Sequence, residues 1–343
     1  MNQRLISQRI TVSDTAEAIN DLFIQNGWSD GLPIIPPTEE AVERMLAGIN
    51  RDPADVVATI PPRWAEATIE KIAINAVMAG CLPEYLPVIV TAVSAMCEEP
   101  FNIRGMQATT HPCAPLLIVN GPIAKKLNIN SKAGAFGPGW RSNATIGRAI
   151  MLILLNVGGA IPGITDMSTQ AQPCKYTFCI AENEDDNPWE PLYIERGFDA
   201  ATSTVTVIAA ENPHNINDHS AQTADELLKT IVSVMTTIGN NDVLYQKGEP
   251  VLVLGPEHAA TIAGGGFSKE RLKAFIHEKA RIPRAGFHDR ALHDRFPDWD
   301  TNASIPVTSE ESALIVIVAG GQGKQSLFIP SFGIGRSITK EIM

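Results

Sequence analysis

The sequence predicts an α/β protein of two lobes, each a mixed sheet flanked by helices, and three observations carry that prediction. At 343 residues the chain exceeds what one ordinary hydrophobic core holds, so two cores are expected. Apolar residues at helical spacing alternate along it with short β-branched runs. The peptide PLLIVNGPIA at 115–124 is echoed by PVLVLGPEHA at 250–259, each reading as a buried strand, a Gly turn and a helix opened by proline. The echo fits either a degenerate internal duplication or a common local solution reached twice. The boundary is placed near residue 240, giving an N-terminal lobe over 1–240 and a C-terminal lobe over 241–343.

Taken in order, the chain opens with a helix capped by Ser13 or Asp14, with Ile19, Leu22 and Phe23 on one face and Gly27 as its stop. The next stretch, WSDGLPIIPPT at 28–38, has too many prolines and turn-formers for a helix. Thr38 then caps a helix carrying Val42, Met45 and Leu46. A β-branched run follows at 56–60. Residues 64–80 read as a helix with Ile69, Ile72, Ala73, Ala76 and Val77 in register, and Gly80 as its C-terminal stop. Pro83 and Glu84 open another helix through Ile89, Val93 and Met96, which leaves Cys81 at the elbow of a helical hairpin. Between the two echoed peptides lie a glycine-rich loop at 134–143, an apolar helix near 145–157 and strands at 176–180 and 204–209. A polar stretch at 211–222 precedes a long helix at 224–238. Beyond 240 come a strand at 251–254, helices around Glu257 and over 269–280, a His- and Asp-rich connector at 283–302, and a β-like run at 313–318.

Charge and composition remove several function classes. The chain carries 27 Lys and Arg against 38 Asp and Glu, a formal charge of −11, with no basic cluster of the kind that releases counterions from a nucleic acid. A small-molecule partner is expected instead. Five cysteines are too few and too scattered for a disulfide framework and read as reduced thiols. No apolar leader follows the start, and the longest apolar run, near 149–157, is too short to span a bilayer. A cytoplasmic protein without membrane association is therefore expected, and a homo-oligomer.

Four constellations are candidates for chemistry. The loop containing Gly137, Gly139, Arg141 and Asn143 enters a helix that also carries Arg148, and free N–H groups flanked by arginines suit a carboxylate or phosphate. Trp28 and Asp30 in the proline-rich loop join these as candidate substrate-binding residues. A surface loop with self-paired arginines is the competing reading. The second glycine-rich stretch, AGGQGKQS at 319–326, is not a P-loop, because Val318 stands where a Gly is needed and Gln325 where Ser or Thr is needed. Neither ATP nor NAD is expected. Its glycines remain a place where backbone can approach a ligand. Cys81, with Glu70, Lys71 and Glu84 near it in sequence, is a candidate nucleophile if a helix start lowers its pKa, and otherwise a small buried apolar residue. Cys113 with His111 is a weaker pair of the same kind. Glu182 and Glu184 follow a strand, where α/β proteins place acid–base groups and metal ligands. A divalent metal held by Glu182 and His258 is the alternative there, while His214, His219, His288 and His293 lie in polar stretches without metal-binding spacing.

The blocks WSDGLPIIPPT at 28–38, EKIAINAVMAGCLPEY at 70–85, NGPIA at 120–124, KYTFCIAENE at 175–184 and GPEHA at 255–259 together resemble a largely uncharacterised bacterial family. Its members are often encoded beside a small protein with a (seleno)cysteine-Gly-Ser-Cys motif. The resemblance raises Cys81, Glu70, Lys71, Cys179, Glu182, Glu184 and His258, which fall inside its blocks. It also implies a small thiol or selenol protein as partner. The reading that follows is an enzyme or enzyme subunit for a small anionic or polar metabolite in an inter-lobe cleft, thiol-assisted, with carboxylates as acid and base. A metal-dependent hydrolase or lyase and a non-catalytic substrate-binding subunit are the alternatives.

Overall fold

The computed structural model describes residues 5–287 and 303–343, and the chain is an α/β protein. Two four-stranded mixed sheets dominate. The first has the strand order Ile338–Glu341, Thr204–Ala210, Ala114–Asn120, Cys179–Ala181, and the second Ile315–Val318, Val251–Leu254, Gln325–Ile329, His214–Asn217.

Side-chain alternation along these strands divides the interior into layers. Leu117, Val119, Cys179, Val205 and Val207 face helices Ile69–Ala79, Leu86–Met96 and Arg141–Ile153. The alternate residues Leu116, Ile118, Ile180 and Ile208 point the other way and pack on Val251, Val253, Ile315 and Ile317 of the second sheet. Leu252, Leu254, Val316 and Val318 in turn face helices Ala224–Met235, Pro256–Gly264 and Lys269–Lys279. The order is helix, sheet, sheet, helix, so both strands of the echoed peptides are buried on two faces and read as continuous apolar runs.

The two sheets share one connection pattern. In each, the strand of the echoed peptide runs parallel to one neighbour and antiparallel to the other. The fourth strand of each comes from the other half of the chain: His214–Asn217 leaves the first sheet to pair with Gln325–Ile329, and Ile338–Glu341 leaves the second to pair with Thr204–Ala210. Both sheets thus draw on residues from either side of position 240.

Local signals explain most elements and miss some. Thr38 Oγ1 accepts from Ala41 N–H as the sequence suggests, whereas the first helix, Ala16–Gln25, is capped by Thr15. Residues Ala65–Thr68 are not helical; they form a hairpin with Val56–Ile60, and the helix starts at Ile69 behind a Thr68 cap. A short β-branched run needs a pairing partner, and the residues after Pro62 supply it. The apolar helix begins at Arg141, earlier than expected, and closes in a π turn over Leu154–Gly158. The expected strand near 176–180 shortens to Cys179–Ala181. Of the expected connector, residues 288–302, with His288 and His293, lie outside the described residues. Among the described residues, no helix is long and apolar enough to cross a membrane.

Candidate active site

The parallel strands Ala114–Asn120 and Cys179–Ala181 end side by side, and a cleft of about 320 Å³ opens there. Alternation along the strands sets the first residues of the site: Asn120 follows Ile118 and Glu182 follows Ile180 on the face toward the second sheet. Both are almost wholly buried. Gly121 turns the chain away with φ of 81°, a conformation that favours glycine.

Asn120 ties two carboxylates together. Its Nδ2 donates to Glu182 Oε2 at 2.7 Å and to Glu184 Oε1 at 3.2 Å, and Gly121 N–H donates to the same Glu184 oxygen at 2.7 Å. Glu182 also accepts from Leu192 N–H at 2.9 Å and from Asn187 Nδ2 at 2.9 Å. Burial pushes the Glu182 carboxyl up to about 6, against the pull of Lys269 and of its own hydrogen bonds, and the nearby Glu184 adds to the rise. Glu184 is only half-buried, and among the described residues no hydrogen bond engages its second oxygen. Lys125 and Lys132 stand at the rim, both near Asp185, with Nζ to carboxylate distances of 2.5 and 3.6 Å. The arrangement is a buried acid whose proton affinity is raised by burial, linked through an amide to a half-buried carboxylate at the cleft.

The other expected residues are elsewhere or otherwise engaged. Cys81 is buried against the helix layer, its Sγ 3.2 Å from Thr145 O, and burial pushes the thiol up to about 12, far from thiolate formation near neutrality. The helix start after Cys81 does not activate it, because desolvation outweighs Arg141 and Arg148. Glu70, also buried, accepts from Ile6 N–H and Ser7 N–H and so fastens the N-terminal segment, while Lys71 Nζ donates to Glu66 O. Neither meets Cys81. Cys113 is likewise pushed up to about 12 by burial, and His111 bonds to Glu211 instead.

The anion-site residues are turned to structural work. Arg141 donates twice to Gly80 O, Arg148 makes a two-pronged pair with Asp30 at 2.7 and 2.8 Å, and Asn143 bonds to both backbone groups of Asn130. Trp28 packs edge-on against Phe23, and Gly139 adopts φ of 122° with open space beside it. Gly137 does reach a second hollow of about 260 Å³, shared with Gly255 and with Gly320 to Gly323 of the other glycine-rich stretch. The N–H groups of Gly137, Gly255, Gly320 and Gly323 are already bonded within the protein, so these four offer the hollow no free donor. The metal pairing does not form: both ring nitrogens of His258 are occupied, by Ser326 Oγ at 2.8 Å and Asp218 O at 3.1 Å. Among the described residues no three His, Cys, Asp or Glu side chains gather as ligands.

Asn120, Asn187 and the Leu192 N–H were not singled out in the sequence, although NGPIA at 120–124 was. The signal was an Asn as the last residue of an otherwise wholly apolar strand. No protein-family model matches the chain, and neither a curated protein nor a solved structure matches it.

Proposed function

We propose that the chain is an enzyme, or the substrate-holding subunit of one, that performs acid–base chemistry on a small polar metabolite in the cleft at Asn120, Glu182 and Glu184. The observation that supports it is the shared Asn120 amide: a buried carboxyl pushed up to about 6 sits one side chain behind a carboxylate open to the cleft. Burial and the neighbouring Glu184 charge raise the proton affinity of Glu182, which suits a paired-carboxylate site. Glu184 touches the ligand and moves its proton. Glu182, wholly enclosed, is a positioning residue that holds Asn120 and so the Glu184 oxygen. Lys125 and Lys132 favour a ligand with a negative group. Cytoplasmic location and self-association belong to the same proposal.

The chain's own cysteines have no part in this reading, since the buried Cys81 thiol is held at about 12. Where thiol or selenol chemistry is required, it comes from the small partner protein that the family resemblance implies. The test is a thermal-shift screen of small carboxylate and phosphate metabolites on wild type and Glu184→Gln. Compounds that stabilise wild type should stabilise the variant at least tenfold less strongly by apparent affinity, a loss of about 1.4 kcal/mol. Equal stabilisation of both proteins would place the ligand elsewhere.

A further inference from the structure

A second cavity, of about 380 Å³, opens near the N-terminal end of the strand Ala114–Asn120, at the far end from the carboxylate cleft. The seven-residue strand separates the two by roughly 20 Å. Its walls are mostly apolar, from Met106, Cys113, Met151, Leu154, Leu155 and Ile161. Leu154 and Leu155 come from the π turn over Leu154–Gly158, and such turns recur where helices border functional sites because they redirect side chains.

The charged groups on this wall, Asp30, Asp166 and Lys175, are already neutralised by ion pairs, Asp30 by Arg148 from behind it and the other two by each other. Arg148 holds both oxygens of Asp30, and Lys175 Nζ donates to Asp166 Oδ2 at 2.5 Å and Ser168 Oγ at 2.8 Å. All four charged side chains are at most 15% exposed. An ionic ligand would have to break one of these shielded pairs and leave a charge uncompensated. A neutral ligand would not.

Two more observations bear on the occupant. Gln107, on the same wall, is 3% exposed; its Nε2 donates to Pro61 O while its Oε1 has no partner among the described residues. That oxygen is closed off from the cavity as well as from solvent, so Gln107 offers a ligand no polar contact there. Ile164, Met167 and Tyr176, in the loops that supply the mouth, are 70%, 50% and 51% exposed, so the approach is apolar as well. Ala171 on the wall holds φ of 56°, a strained backbone of the kind that collects at ligand sites.

We propose that this cavity binds a neutral, predominantly hydrocarbon small molecule whose chain lies along Met151, Leu154 and Leu155. The site is independent of the carboxylate cleft and stands whether or not acid–base chemistry occurs there.

Calorimetric titration of the full chain with 1-octanol, octyl methyl ether and octanoate tests it. Octanol and the ether should both bind with one-to-one stoichiometry and similar affinity, and octanoate about tenfold or more weakly. Leu155→Trp fills the cavity and should abolish octanol binding, and Ala160→Phe serves the same purpose from the mouth if the first variant does not fold. Octanoate binding as tightly as octanol, absence of binding by all three probes, or undiminished octanol binding in a folded cavity-filling variant would overturn the proposal.

Discussion

Asp242 shows how far burial alone can move a side chain. It accepts from Ser331 N–H at 2.8 Å and from Ser331 Oγ, yet desolvation pushes its carboxyl up to about 7. Its ordinary value is 3.8, so between about pH 4 and 7 the unfolded chain releases a proton that the native chain keeps. The stability this group contributes is full below about pH 4 and is lost as pH rises through 7. Asp242→Asn preserves the shape and hydrogen bonding of the neutral acid, so its melting temperature should exceed that of wild type by about 2–6 °C at pH 8. The gain should shrink toward pH 5; an equal gain at both pH values would contradict the assignment. At this scale the sequence was a partial guide. Glu182 and Glu184 were legible as acids after a strand, but Cys81 was not legible as inert. Its helix-start position is local information, whereas its burial against residues near Thr145 depends on contacts 64 positions away.

Elements end where they do because single residues stop them, and Gly121 is the stop that matters most to the site. A Cβ at this position would lie 2.2 Å from Thr202 O, and φ is 81°. Gly121→Ala should therefore cost about 1–3 kcal/mol, read from denaturant unfolding. Because the Gly121 N–H holds Glu184, it should also weaken cleft ligands, an effect absent if the turn only joins strand to helix. Elements with strong local signals were legible: the strand Ala114–Asn120, apolar up to its final Asn, the Thr38 cap, and the helix from Ala224, which ends at Met235 instead of the expected 238. The short edge strands were not. The sequences HNIN and ITKE lack apolar alternation, because edge strands with one solvated side need little of it. Their pairing partners lie more than 100 residues away.

On the scale of the whole molecule, the two sheets are bound together by these exchanged strands as well as by the apolar layer between them. Ser331, pinned by Asp242, lies where the chain leaves the second sheet, and Ser337, held by Glu249 through N–H and Oγ, lies where it enters the first. Ending the chain after residue 337 removes Ile338–Glu341 and uncovers the backbone edge of Thr204–Ala210. The shortened protein should show concentration-dependent association in analytical ultracentrifugation; a species as monodisperse as the intact chain would show that the strand is dispensable. The α/β class was legible from helical spacing alternating with short β-branched runs, while the strand exchange was not, since nothing local distinguishes a strand that stays from one that crosses. The central claim concerns the amide-linked acids at the end of the first sheet. Carboxyl-labelled glutamate NMR on the intact chain, with Glu182→Gln to assign the resonance, tests it most directly. Glu182 should titrate with a midpoint near 6 and move downward in Glu184→Gln, where the like charge is gone. A midpoint near the ordinary 4.5, unmoved by that substitution, would contradict it.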